Sequence, residues 1–380
     1  MIYLDNASTT RPCEAAVKAV MRTLTDDWGN PSSLHKAGLA AELLTVDARR
    51  NIAGALTAAP ECIYFTSGAT EANNTLIRGM WECSFKRRRK IVISDAEHPS
   101  VEEPVRFLEE NCGAEVIRIS PAKNGIFDAD DFIMACDENT AFISAMLINN
   151  ETGTILPIKK IFTAVKKLYP DIITHTDAVQ GFLKHKFKAA DLAADCLTIS
   201  GHKIHAVKGA GVMYIKKGLS LKPLMQGGGQ ERGMRPGTES VPAIYAFGEA
   251  VKALKPTVET ALSNAQLLNK NFRKKLQTLD FITINSPEEA SPYIINFSVK
   301  NIRSEIMLHF LEAKEICVSS GSACATGSNK SNKPLTKLGV SPKNADEALR
   351  ISLSRTTVPG DLEVLISALK EGYQNLQKKG

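Results

Sequence analysis

Between residues 91 and 215 the chain repeats one pattern: a short apolar run, then a segment with helical spacing. The runs fall at 91–94, 116–119, 142–148, 172–176, 196–199 and 211–215, and helical patterns such as 101–111 and 158–168 lie between several of them. Two further helices are expected upstream, over 32–56 and 69–83. Near-continuous apolar strands joined through helices predict a mostly parallel sheet covered on both faces. Sheets of this kind bind ligands beyond the carboxyl ends of their strands, so polar residues there carry more weight than polar residues elsewhere.

The rhythm changes after about residue 250. A polar, helix-rich connector over 257–278 precedes a strand at 293–298, a helix at 303–313, a Gly/Ser-rich segment at 319–331, a strand at 349–353 and a last helix at 362–376. A chain of 380 residues is too long for one compact core. The expected division is a large α/β domain over 13–252 and a smaller α+β domain made of 1–12 and 253–380, the latter carrying a mobile loop at about 319–337.

Charge and cysteine usage exclude several classes. A net charge of +6 is mild for this length and does not by itself indicate a nucleic-acid partner. The one dense basic run, Lys86 to Lys90, reads as a solvated turn leading into a strand. Eight cysteines occur without a C-x-x-C pair, so zinc and thioredoxin-type readings are weak and no metal site is expected. No secretory n-region or h-region is visible, and no apolar run approaches the roughly 20 residues of a membrane span. A reducing cytoplasm is the expected setting, with no membrane partner.

Polar clusters mark the expected strand ends. Phe65 to Asn74 runs through Ser67, Gly68, Ala69 and Thr70 straight into a helix, which makes a pocket for an anion. His98 lies on a loop after the 91–94 run, where it could stack on a flat ligand or move a proton. Asn149-Asn150-Glu151-Thr152-Gly153 follows another run, though these residues favour turns anyway. Asp177 ends an apolar strand, where a carboxylate is costly unless it meets a cation, and Gln180 follows three residues on. Ser200-Gly201-His202-Lys203 ends the next strand. A lysine able to form a Schiff base, with a carboxylate for a pyridinium nitrogen, is the core requirement of pyridoxal-phosphate (PLP) chemistry. A Gly-rich loop over 226–238 carries Arg232, Arg235 and Thr238, and suits approach to a phosphate or a neighbouring subunit. Cys324 lies in the Gly/Ser-rich segment, where a thiol is exposed and able to travel.

Taken in order, these segments resemble the cysteine desulfurase family, of the iron–sulfur-cluster type, within the class V aminotransferase-like PLP enzymes. The match also takes in Tyr3-Leu4-Asp5-Asn6-Ala7-Ser8-Thr9-Thr10, Gly29-Asn30-Pro31-Ser32-Ser33-Leu34-His35 and Arg350-Ile351-Ser352, and spans nearly the whole chain. The resemblance implies a type I PLP-transferase fold and a homodimer. It implies that Lys203 carries PLP, that Asp177 partners the ring nitrogen, that Gln180 bonds the ring hydroxyl and that His98 stacks on the ring and assists proton transfer. Ala69, Thr70, Ser200 and His202 would hold the phosphate, and Thr238 would reach the phosphate of the other subunit. Asn150 and Arg350 would take the carboxylate of L-cysteine, and Cys324 would attack its sulfur, giving L-alanine and a persulfide. The persulfide would pass to an acceptor protein, an iron–sulfur scaffold or a thiolation enzyme.

The chain also differs from the usual pattern. Ala206-Val207-Lys208-Gly209 stands where the family has Gly-Pro-Lys-Gly, Ile148 precedes the Asn pair where Ala is usual, and the last helix closes on Gln377-Lys378-Lys379-Gly380, where longer members extend to dock a scaffold. Two other readings stay open: a selenocysteine lyase or aminotransferase on the same scaffold, and a binding protein that has lost catalysis. A dehydrogenase is excluded because no strand leads into G-x-G-x-x-G.

Overall fold

The computed structural model describes residues 1–84, 86–320 and 334–377. The chain opens with a two-residue strand, β1 (Ile2–Tyr3), and two helices, α1 (Glu14–Thr25) and α2 (Lys36–Leu56). The main sheet follows: β2 (Ile63–Thr66), α3 (Ala69–Ser84), β3 (Lys90–Ser94), α4 (Pro99–Cys112), β4 (Glu115–Ile119), α5 (Ala129–Ala135), β5 (Thr140–Ser144), α6 (Ile158–Leu168), β6 (Ile173–Asp177), β7 (Cys196–Ser200) and β8 (Gly211–Ile215). Its seven strands lie in the order β2-β8-β7-β6-β5-β3-β4. Only β8 runs against the others. Every residue of β5, β6, β7 and β8 is buried, as strands covered on both faces require. The covering helices show the matching periodicity. In α6, Ile158, Ile161, Phe162 and Val165 face inward while Lys159 and Lys166 stay on the outer side.

Helices α7 (Val241–Leu254) and α8 (Val258–Gln277) lead to the second unit. It comprises β9 (Ile282–Ile284), β10 (Ile294–Val299), α9 (Ser304–Glu312), β11 (Ile316–Cys317), β12 (Ser319–Ser320), α10 (Pro334–Lys337), α11 (Pro342–Asp346), β13 (Ala348–Ser352) and α12 (Pro359–Gln377). An antiparallel sheet of order β12-β13-β10-β9 is its centre, and β1 pairs with β11 beside it. Phe272, Phe297, Ile351, Leu365 and Leu369 form its core, joined by Leu4 and Ala7 from the N-terminal segment. Leu335, Leu338 and Ala345 lie in the same chain region as this unit but pack into the core of the main sheet.

Several expectations shift. The helix expected from residue 32 starts at Lys36, because His35 caps it by accepting from the Gly38 N–H. The strand expected over 142–148 leaves the ladder after Ser144. Asn149 folds the chain into a side-chain turn, its Oδ1 accepting from the N–H groups of Glu151 and Thr152. The segment expected to be a loop at 319–337 is bounded by β12 and α10, while its middle, with Cys324, lies outside the described residues. Helices α1 and α7 carry no strong motif in the sequence, yet α7 packs closely against both α1 and α2. Gly248 lets α7 approach, since a Cβ there would lie 2.4 Å from the Ala48 Cα. The basic run leads into β3 as expected, with Arg88 paired to Asp171 and Lys90 to Asp137. No helix among the described residues is long and apolar enough to cross a membrane.

One glycine couples the sheet to the ligand pocket. A Cβ on Gly211 in β8 would lie 2.5 Å from the Gly68 carbonyl carbon, just before α3. Gly211→Ala is expected to destabilise the fold by about 1–3 kcal/mol, the usual cost of overpacking, which urea denaturation measures. An unchanged midpoint would show that the Ser67–Gly68 turn can give way.

Candidate active site

A cavity of about 700 Å³ opens at the carboxyl ends of the central strands. Its walls bring together Ala69, Thr70, His98, Asn150, Asp177, Gln180, Ser200, His202, Lys203 and Arg350. Of the residues assigned to the site from sequence, Thr238 is exposed on the loop before α7 and does not line it. Cys324 lies outside the described residues. The arginines of the Gly-rich loop do not line it either. Arg232 sits over the Tyr64 ring at 4.0 Å, and Arg235 pairs with Glu71 at 2.8 Å.

Lys203 stands on a tight turn after β7, and its Nζ donates to the carbonyls of Ala7 and Ser8, both at 2.6 Å. Asp177 closes β6 and is 5% exposed. Its carboxylate accepts from Asn73 Nδ2 at 2.8 Å and from the Val179 N–H at 3.0 Å. His98 caps α4: Nδ1 accepts from the Ser100 N–H and lies 2.8 Å from the Ser100 hydroxyl. That bond leaves the ring proton of neutral His98 on Nε2. Burial holds His98 below its ordinary pKa, against the pull of Asp177. Burial also brings His202 down to about 4, with Lys203 and Lys208 adding to the effect. The Ser200 hydroxyl is buried without a hydrogen-bond partner. Next to it, the first N–H groups of α3 at Ala69 and Thr70 have no partner within the helix by construction.

Arg350 rises from β13, 3% exposed, and shares Ser8 with Lys203. It donates to Glu151 Oε1 at 2.9 Å, Asp5 Oδ1 at 3.0 Å, the Ser8 hydroxyl at 2.7 Å and the Asn150 carbonyl at 3.1 Å. Behind the altered loop, Ala206 and Val207 pack into the core while Lys208 and Gly209 face the cavity. The replaced pair therefore changes the support of the loop and keeps its cation at the site.

The profile of the family described as Aminotransferase class-V matches residues 2–365. A NifS/IcsS protein homolog from Lactobacillus delbrueckii subsp. bulgaricus is 36% identical over 381 residues, covering 100% of this chain and 98% of its own. A cysteine desulfurase from Nostoc sp. is 36% identical over 379 residues, covering 99% of this chain and 94% of its own. Among solved structures, a NifS-like protein superposes with a TM-score of 0.91 at 32% identity over 99% of both chains. SspA, solved in complex with cysteine, does so with a TM-score of 0.82 at 32% identity over 94% of this chain and 100% of its own. The chain belongs to the cysteine desulfurase family. As a member of that class-V family it is an enzyme, and its architecture is the type I fold of PLP-dependent transferases.

Around the residues read from sequence stands a second set that cysteine desulfurase motifs alone did not assign. Asn73 bonds Asp177, Ser100 bonds His98, and Asp5 and Glu151 hold Arg350. Glu97, beside His98, accepts from the Ser94 hydroxyl and the Met146 N–H, and burial, with Asp177 adding to it, pushes its carboxyl up to about 8. Asn73 and Glu151 sit in polar clusters already noted and Asp5 in the N-terminal motif, but their partners come from distant elements; Glu97 and Ser100 flank His98 in the sequence. Lys184, which donates to Gln180 Oε1 at 2.8 Å, lies outside any of those clusters.

In the middle of the sheet, His175 of β6 is fully enclosed. Its Nδ1 lies 2.8 Å from the Ser144 hydroxyl, and burial brings its pKa down to about 3. The folded protein thus keeps His175 neutral while the unfolded chain takes up a proton below the ordinary value of about 6.5. Stability from this residue is complete above that pH and is lost as pH falls toward 3, by at most about 1.4 kcal/mol per unit. His175→Gln is expected to flatten the fall in urea stability between pH 6.5 and 4. Parallel slopes in the two proteins would mean that His175 takes its proton without unfolding.

Proposed function

We propose that this protein removes sulfur from L-cysteine with PLP as cofactor, yielding L-alanine and a persulfide on Cys324 for transfer to an acceptor thiol. The observation that carries the reading is the convergence of Lys203, Asp177 and His98 on one cavity beside the start of α3. The cavity's chemistry fits PLP. The partnerless Ser200 hydroxyl and the helix N–H groups suit a phosphate, with Thr70 and His202 at its sides. Asp177, already held in place by Asn73 and Val179, suits a protonated ring nitrogen. Gln180 would bond the ring oxygen and Lys203 would carry the cofactor. When bound, PLP supplies an electron sink for charge developing at the substrate Cα.

The chain's own groups do the rest. Lys203 is oriented by two carbonyls, so its amine is aimed before any ligand arrives. Neutral His98 presents Nε2–H and can hold or relay a proton at that atom. Arg350, with Asn150 next to it, takes the substrate carboxylate, because a guanidinium fork can bind both oxygens. Asp5 and Glu151 fix that fork and share its charge. The Cys324 thiolate forms an S–S bond with the substrate sulfur as the substrate's C–S bond breaks. A homodimer would bring Thr238 of each chain to the other's phosphate. The acceptor would be an iron–sulfur scaffold or a thiolation enzyme, and the cytoplasm is the setting that suits free thiols.

Lys203→Ala is expected to lose the yellow cofactor band and all turnover. Cys324→Ala is expected to keep the band and lose alanine and sulfide release from L-cysteine by at least about a hundredfold, as removal of a nucleophile does. A fully active Cys324→Ala protein would point instead to a lyase or aminotransferase in which Cys324 is not the nucleophile.

A further inference from the structure

We propose that Lys184 is a positioning residue for the cofactor: it fixes the Gln180 carboxamide so that this side chain can offer the cavity only a hydrogen-bond donor. The inference rests on the reading above, in which Gln180 meets the ring oxygen of PLP.

Gln180 and Lys184 lie on one turn after β6, at positions i and i+4. Leu183 takes the left-handed conformation there, with φ 54°, and the chain reverses so that Lys184 points back at Gln180. Lys184 is 8% exposed, an unusual place for a lysine that carries no ion pair to a carboxylate in the structure's described contacts. Its Nζ donates to Gln180 Oε1 at 2.8 Å. The other end of the same carboxamide is also committed, since Nε2 donates to the Ala7 carbonyl at 3.0 Å. That carbonyl can only accept, so the amide nitrogen must face it. Ala7 is itself pinned, its N–H donating to the Ser352 hydroxyl at 2.7 Å.

A primary carboxamide has one acceptor oxygen and two N–H donors. With the oxygen on Lys184 and one N–H on Ala7, the second N–H is the group left to turn toward the cavity that Gln180 lines. Without Lys184 the carboxamide keeps only one tether and can rotate its oxygen inward. An inward oxygen would oppose the ring oxygen of the cofactor, whereas an N–H would bond it. Burial brings Lys184 down to about 7, with Lys203 and Arg350 adding to the effect, yet its amine donates in either protonation state. The role follows from donor geometry and does not require a permanent charge.

The test measures the PLP dissociation constant by absorbance titration of apoenzyme, with thermal midpoints in parallel, for wild type, Lys184→Met, Lys184→Arg, Gln180→Met and the Lys184→Met/Gln180→Met pair. Methionine keeps the apolar stem and removes the donor. Lys184→Met is expected to weaken PLP binding about three- to tenfold, the worth of one hydrogen bond. Lys184→Arg, which keeps a donor, is expected to recover most of that loss. In the Gln180→Met background the Lys184 substitution is expected to add nothing, because the two act as one unit. Additive losses, or no rescue by arginine, would overturn the proposal and leave Lys184 as a packing residue. Gln180→Met with wild-type affinity would overturn it even if no Lys184 variant folds. Wild type that binds no PLP would instead overturn the functional reading beneath it.

Discussion

A single buried guanidinium holds the two halves of the site together. Arg350 belongs to β13 in the second unit, Glu151 to the turn after β5 in the main sheet, and Asp5 to the N-terminal segment. A charge in this setting is tolerable only when it is paired and fully bonded, because desolvation costs several kcal/mol per ion. Here four oxygens from two separate parts of the chain, the N-terminal segment and the turn after β5, meet one side chain from a third. Removing any one part would leave charge buried without its partners. The ion cluster therefore makes the closed arrangement of the cavity all-or-none, to a degree that an exposed ion pair worth at most about 1 kcal/mol could not. Exposed pairs such as Lys186–Glu259 illustrate the weaker class.

The N-terminal segment carries this constraint to Lys203. Leu4 and Ala7 are buried in the second core, and Asn6 and Ala7 bond Ser352 beside Arg350. A few residues on, the Thr10 N–H and hydroxyl both donate to the His202 carbonyl, and the His205 N–H donates to the Thr10 hydroxyl. The carbonyls between these two anchor points, Ala7 and Ser8, are the ones that receive Lys203. A lysine has four rotatable bonds and would otherwise sample many positions. Two fixed acceptors remove that freedom before a ligand arrives, which is how a scaffold turns binding energy toward orientation.

The same geometry explains what could be read from the sequence. Strands β3 and β5 to β8 were legible because burial on both faces demands near-continuous apolar runs, and the residues at their ends were legible because open sheets bind ligands there. Lys203, Asp177, His98 and Gln180 are all of this kind. Asn73, Asp5 and Glu151 were visible as members of the quoted motifs, but the partners they hold, Asp177 and Arg350, lie 104 to 345 residues away, and no local spacing encodes such a pairing. Lys184 was invisible for another reason. It follows Gln180 by one helical turn's spacing without a helix, and only the reversal at Leu183 makes them neighbours. Helix α1 buries only Ala16, Ala19 and Thr23, which leaves a weak apolar signature, whereas α7 is strongly apolar and only its Gly248, which lets it approach Ala48 of α2, needs the structure to be explained.

Charge across the cavity has a direction that follows from these placements. Lys203, Lys208 and Arg350 line it, and His98 and His202 are kept neutral by burial. Asp177 lines it as well, and burial pushes the carboxyl of Glu97, next to His98, up to about 8. Asp177 offers a carboxylate that can answer one cation, while the guanidinium and the helix start at α3 answer anions elsewhere. A ligand matched to this surface carries a phosphate and a carboxylate at separate points and a proton on a ring nitrogen. The order of charges thus follows from which groups the fold buries, before any ligand is present.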